Sequence, residues 1–122
     1  MSDMNKSLAM ARTAIMALED KKAVNINVID ISSVSVLADY FIIANGTNRS
    51  KIQALADGVQ EKLERAGYPM REIEGYNTAA WVLLDFGDVI IHIFDEKDRL
   101  LYDLERIWRD GKQIDPKSIT QE

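Results

Sequence analysis

Between Trp81 and Phe94 the chain reads WVLLDFGDVIIHIF, two apolar stretches parted by Gly87-Asp88. Runs of β-branched and aromatic residues favour extended backbone, and a glycine between them supplies the positive φ of a tight turn, so the pattern predicts an antiparallel hairpin. Alternation sorts its side chains into two faces. Val82, Leu84, Phe86, Val89, Ile91 and Ile93 make a wholly apolar set, while Trp81, Leu83 and Asp85 join Ile90, His92 and Phe94 in a set that mixes aromatic and polar groups. The first set is expected to form core under a layer of helices. The second has the composition of a contact surface.

The flanking pattern supplies the rest of the domain. Met4, Leu8, Ala11, Ile15 and Leu18 recur at spacings of four and three, which predicts an amphipathic helix over 4–22. Short β-branched or apolar runs at 25–30 and 39–44 predict two strands, the second closed by Asn45-Gly46. Thr47, Asn48 and Ser50 offer capping oxygens, with Ser50 and Gln53 at capping-box spacing, so a helix starts in this cluster; Ile52, Leu55, Ala56, Val59 and Leu63 form its buried stripe, and Gly67 and Pro69 end it. A partly exposed strand over 70–75 precedes the hairpin. Beyond the hairpin, Asp95, Glu96 and Asp98 suit a helix N-terminus, and Leu101, Leu104, Ile107 and Trp108 carry its stripe to Gly111. Residues 111–122 have little to bury and are expected to form a flexible tail behind a single domain over 1–110. Helices interleaved with strands give an α/β or α+β domain, a mixed sheet of about five strands with flanking helices.

Composition narrows the function more than the fold. A chain of 122 residues needs no staples, and with no cysteine it has neither disulfides nor thiolate metal sites. Acidic residues near the N-terminus do not suit a signal or transit peptide, which places the protein in the cytoplasm as an expectation. The net charge of −5 argues against binding nucleic acid by phosphate neutralisation. From Met70 to Asp98 seven acids stand against two bases, and the rest of the chain is balanced. That acidic field around the hairpin would steer a basic partner towards it, and many of the most basic cellular proteins are ribosomal.

Three sets of residues invite a chemical reading. His92, the only histidine, could pair with Asp85 across the hairpin as a general base or metal ligand, yet no nucleophile or orienting group accompanies it, which favours a sheet residue or a contact residue. Gly46-Thr47, between a strand and a helix, offers backbone N–H groups to an anion, and Asp85 with Asp88 could hold magnesium. The chain contains neither phosphate-loop signature. Trp81 divides evenly between core and contact roles, and Arg99, Tyr102 and Glu105 share one helical side.

The ordered set of Asp39-Tyr-Phe-Ile-Ile, Gly46-Thr47, Glu74-Gly75, Trp81-Val-Leu-Leu-Asp85, Gly87-Asp88-Val89, His92-Ile-Phe94 and Arg99-x-x-Tyr102-x-Leu104-Glu105-x-x-Trp108 resembles the ribosomal silencing factor family, also called Iojap or RsfS. The resemblance spans roughly residues 8–110. It implies a nucleotidyltransferase-like fold without the catalytic acids, no known enzymatic activity and no cofactor. It further implies binding to the large ribosomal subunit through ribosomal protein number fourteen, a block on small-subunit joining, and repression of translation when nutrients run short. Homodimers occur in the family, and relatives serve mitochondrial and chloroplast ribosomes. Trp81, Leu83, Asp85, His92, Phe94, Arg99 and Tyr102 match family positions and are the expected protein-binding residues. The competing expectation, a phosphate-handling enzyme of the nucleotidyltransferase type, would use Gly46, Thr47 and Asp85.

Overall fold

The hairpin is the antiparallel pair β4 (Trp81–Asp85) and β5 (Val89–Asp95) of a six-stranded mixed sheet. The structure, a computed structural model, describes residues 4–96, 109 and 111–120. Before the hairpin come α1 (Met4–Asp20), β1 (Val24–Asp30), β2 (Tyr40–Gly46), α2 (Arg49–Arg65) and β3 (Glu72–Glu74); after it come β6 (Lys112–Ile114) and a short α3 (Pro116–Thr120). The strand order is β3-β4-β5-β2-β1-β6. β2 and β5 pair in parallel at the centre, and every other neighbour is antiparallel. A parallel pair needs a crossover, which α2 and the β3–β4 segment provide.

The apolar face of the hairpin is core. Val82, Leu84, Phe86, Val89, Ile91 and Ile93 pack with Val28, Ile42 and Ala44 of the neighbouring strands beneath Ala11, Ala14, Ile15 and Leu18 of α1 and Ile52, Leu55, Val59 and Leu63 of α2. α3 joins the same layer through Ile119, whose carbonyl accepts from Arg12 Nε at 2.9 Å. All three described helices therefore lie on one side of the sheet. A hydrogen bond from Ser7 Oγ to Asp39, both buried, ties α1 to the start of β2. None of the described helices is long and apolar enough to cross a membrane.

One expectation needs correction. Residues 111–120 are not a featureless tail: β6 pairs with β1, Val28 opposite Ile114 and Asp30 opposite Lys112, and Ile119 is buried. The sheet therefore has six strands instead of about five. Ile114 and Ile119 find apolar surface that only the folded chain assembles, which is why a local reading of the segment misses it. α2 begins within the expected cluster, and of the candidate caps it is Asn48 that serves. Asn48 Oδ1 accepts from Lys51 N at 2.8 Å, and Gln53 instead donates to the Tyr76 carbonyl at 3.0 Å. Asn48→Ala is accordingly expected to cost about 1 kcal/mol in unfolding free energy by urea titration, while Ser50→Ala is nearly neutral. The helix expected over 95–111 falls mainly on residues outside those described.

Candidate functional site

On the side of the sheet away from the three helices, Trp81, Leu83 and Asp85 of β4 stand opposite Phe94, His92 and Ile90 of β5. β3 extends this face, with Glu72 opposite Asp85 and Glu74 opposite Leu83. Ile29 and Ile31, with Phe41 and Ile43 of β2, give it a small apolar cluster that includes Phe94, and Trp81 and Ile90 pack against that cluster.

The expected contact residues occupy two depths. Phe94 and His92 are 1% and 3% exposed and form the floor. Trp81, Leu83, Asp85 and Ile90 are half-buried and present a surface, and Glu72 and Glu74 are exposed at its edge. Trp81, Leu83, Glu74 and Gly75 line an open cleft of about 430 Å³. Arg99 and Tyr102 lie outside the described residues, so the structure brings together five of the seven expected positions.

Aromatic contacts connect floor and surface. The Trp81 ring lies over Phe94 with centroids 5.3 Å apart, and His92 packs on Phe41 at 4.7 Å. The Trp81 indole Nε1–H donates to His92 Nδ1 at 3.0 Å. That bond joins diagonal neighbours across the two strands, as sheet geometry allows for long side chains. Because Nδ1 accepts, the neutral imidazole carries its proton on Nε2, and this buried atom has no hydrogen-bond partner among the described residues. Burial lowers the His92 pKa from its ordinary 6.5 to about 4, so the ring is neutral at pH 7.

The residues that invited a chemical reading are spread through this arrangement. Asp85 does not reach His92 as a catalytic partner; its Oδ1 accepts from Gly87 N at 2.7 Å and closes the hairpin turn. The Asp88 carbonyl accepts from the Asp39 and Tyr40 amides. Gly46 pairs with Asp95 and Asp85 with Ile90, at opposite ends of β5 and about 16 Å apart along the strand, so Gly46, Thr47 and Asp85 do not converge. A Cβ at Gly46 would meet Ile52 Cγ1 at 2.7 Å, which makes this glycine a packing requirement of α2. Among the described residues no three carboxylate or imidazole groups converge to hold a metal ion.

Sequence reasoning missed Glu72 and Glu74 as neighbours of Asp85 and Leu83, although alternation along EIE would have placed both on one face. It also missed Phe41, whose role depends on the β2–β5 pairing and leaves no local signal.

Comparison with known proteins follows the same outline. Residues 4–122 match the family model described as ribosomal silencing factor during starvation. The chain is 32% identical over 110 residues to a ribosomal silencing factor RsfS of Halalkalibacterium halodurans, covering 90% of this chain and 94% of the relative. Against the protein of the same name from Bacillus subtilis the figures are 35% over 107 residues, 88% and 91%. A crystal structure of a Chromobacterium violaceum protein superposes with a TM-score of 0.81 at 38% identity, covering 83% of this chain and 84% of that one.

Proposed function

The chain belongs to the ribosomal silencing factor family, and from that premise we propose that it represses translation under nutrient limitation by occupying the large ribosomal subunit. It docks on ribosomal protein number fourteen, on the side of the large subunit that faces the small one, and keeps the small subunit from joining. Steric occupation suffices for this. The mechanism needs a long residence on the subunit, set by the dissociation rate, and no bond-making step.

The observation that carries the reading is the make-up of the second sheet face. Trp81, Leu83 and Ile90 form a half-buried apolar patch on a rigid aromatic floor, bordered by the carboxylates of Glu72, Glu74 and Asp85. An aromatic anchor with an acidic border suits a basic protein surface: the anchor supplies affinity and the border steers the encounter.

Co-sedimentation with isolated large and small subunits, followed by a joining assay on gradients, tests the proposal. Binding to the large subunit alone, with fewer joined ribosomes, is the expected result; pelleting with neither subunit would end it. Trp81→Ala, shown to be folded by circular dichroism, is expected to weaken binding by at least ~2 kcal/mol, about thirty-fold in Kd. Wild-type affinity in that variant would remove Trp81 from the interface.

A further inference from the structure

We infer that His92 is a positioning residue for Trp81, its bare Nδ1 atom holding the indole in the orientation that meets the partner. The inference rests on the docking reading above and goes beyond it in assigning His92 no contact of its own.

Trp81 is the first residue of β4, is half-buried and packs against the apolar cluster beneath it. Its ring meets Phe94 tilted by 31° with centroids 5.3 Å apart, a contact that does not engage the indole N–H. The 3.0 Å bond from Nε1–H to His92 Nδ1 adds a directional hold on one edge. The acceptor is itself fixed: His92 is 3% exposed, packs on Phe41 and sits opposite Leu83 in the ladder. At that depth it cannot reach a docked protein.

His92 lies opposite Leu83 and packs on Phe41, an apolar setting for an imidazole. A leucine would fill much of the same space. What histidine contributes and leucine lacks is the acceptor facing Trp81.

Two substitutions separate this role from plain packing. His92→Asn can place Oδ1 near the present Nδ1, whereas His92→Leu preserves bulk and removes the acceptor. With isolated large subunits at pH 7, His92→Asn is expected to bind within about two-fold of wild type, and His92→Leu about five-fold or more weakly, the loss of one neutral hydrogen bond. The Trp81 indole N–H should exchange with solvent faster in His92→Leu and not in His92→Asn. Wild-type binding by His92→Leu while Trp81→Ala fails would overturn the inference and leave the docking face standing; wild-type binding by both would remove the docking face and the inference together. Unchanged indole exchange in His92→Leu would overturn it as well. Nitrogen NMR of the wild-type imidazole needs no variant: a bare Nδ1 supports the assignment, and a protonated Nδ1 overturns it.

Discussion

Gly75→Ala is expected to lower the unfolding free energy by about 3 kcal/mol, read from urea titrations at pH 7, and to weaken docking in whatever fraction remains folded. Gly75 has φ +78°, and a Cβ built there would lie 2.1 Å from the Trp81 carbonyl oxygen. Left-handed backbone alone costs a non-glycine residue roughly 1–2 kcal/mol. The remainder of the expected loss comes from the contact, because a backbone carbonyl in a strand cannot rotate aside as a side chain can. The β3–β4 loop closes on the same residue, with Ala79 N donating to the Gly75 carbonyl at 2.9 Å, so relief requires moving the start of β4 and Trp81 with it. Gly67→Ala is the control. Gly67 also has positive φ, +97°, but nothing lies within 4 Å of its Cβ position, and only the conformational cost of roughly 1–2 kcal/mol is expected. Equal losses in the two variants would show that the Gly75–Trp81 approach is not what constrains the loop.

Acidification from pH 7 to 4.5 is expected to remove between about 2 and 3 kcal/mol of stability through His92 alone. The imidazole is neutral in the folded protein down to about pH 4 and takes up its proton near pH 6.5 once unfolded. Between those values the unfolded chain binds more protons, so stability is fully present above pH 6.5 and falls as pH drops towards 4. A difference from 6.5 to about 4 corresponds to roughly 3 kcal/mol at the limit. The chain has a single histidine, and the same titration of His92→Leu is therefore expected to be nearly flat from pH 6.5 to 5, before the carboxylates begin to protonate. A flat wild-type profile over that interval would mean that the folded protein accepts the proton readily.

The parts of the fold that were legible in the sequence are those whose signal is local. Apolar alternation on both sides of Gly87-Asp88 gave the hairpin and the division of its faces, and the stripe from Ile52 to Leu63 gave α2. What was not legible depends on partners far along the chain. β6 consists of Lys112, Gln113 and Ile114, too short and polar for any periodicity, and it becomes a strand because β1 offers it an edge. Asn48, Thr47 and Ser50 are chemically equivalent as caps until the chain direction leaving Gly46 selects Asn48. In the site, period two grouped Trp81, Leu83, Asp85, His92 and Phe94 correctly. It could not order them by depth, because burial of His92 and Phe94 depends on the flanking strands, and Phe41 of β2 packs directly on His92.

β6 also bears on how the protein stays dispersed. Val28 and Ile29 of β1 are fully buried, and β2 occupies only one edge of that strand. Were β6 missing, the other edge would show unpaired amide and carbonyl groups along a valine- and isoleucine-rich strand, the kind of template on which foreign chains add as further strands. Closing it requires residues 112–114 to return across more than eighty positions, so a partly synthesised chain has α1, α2 and the hairpin in hand while this seam is still open. Three residues of modest packing value thus act as a guard against aggregation.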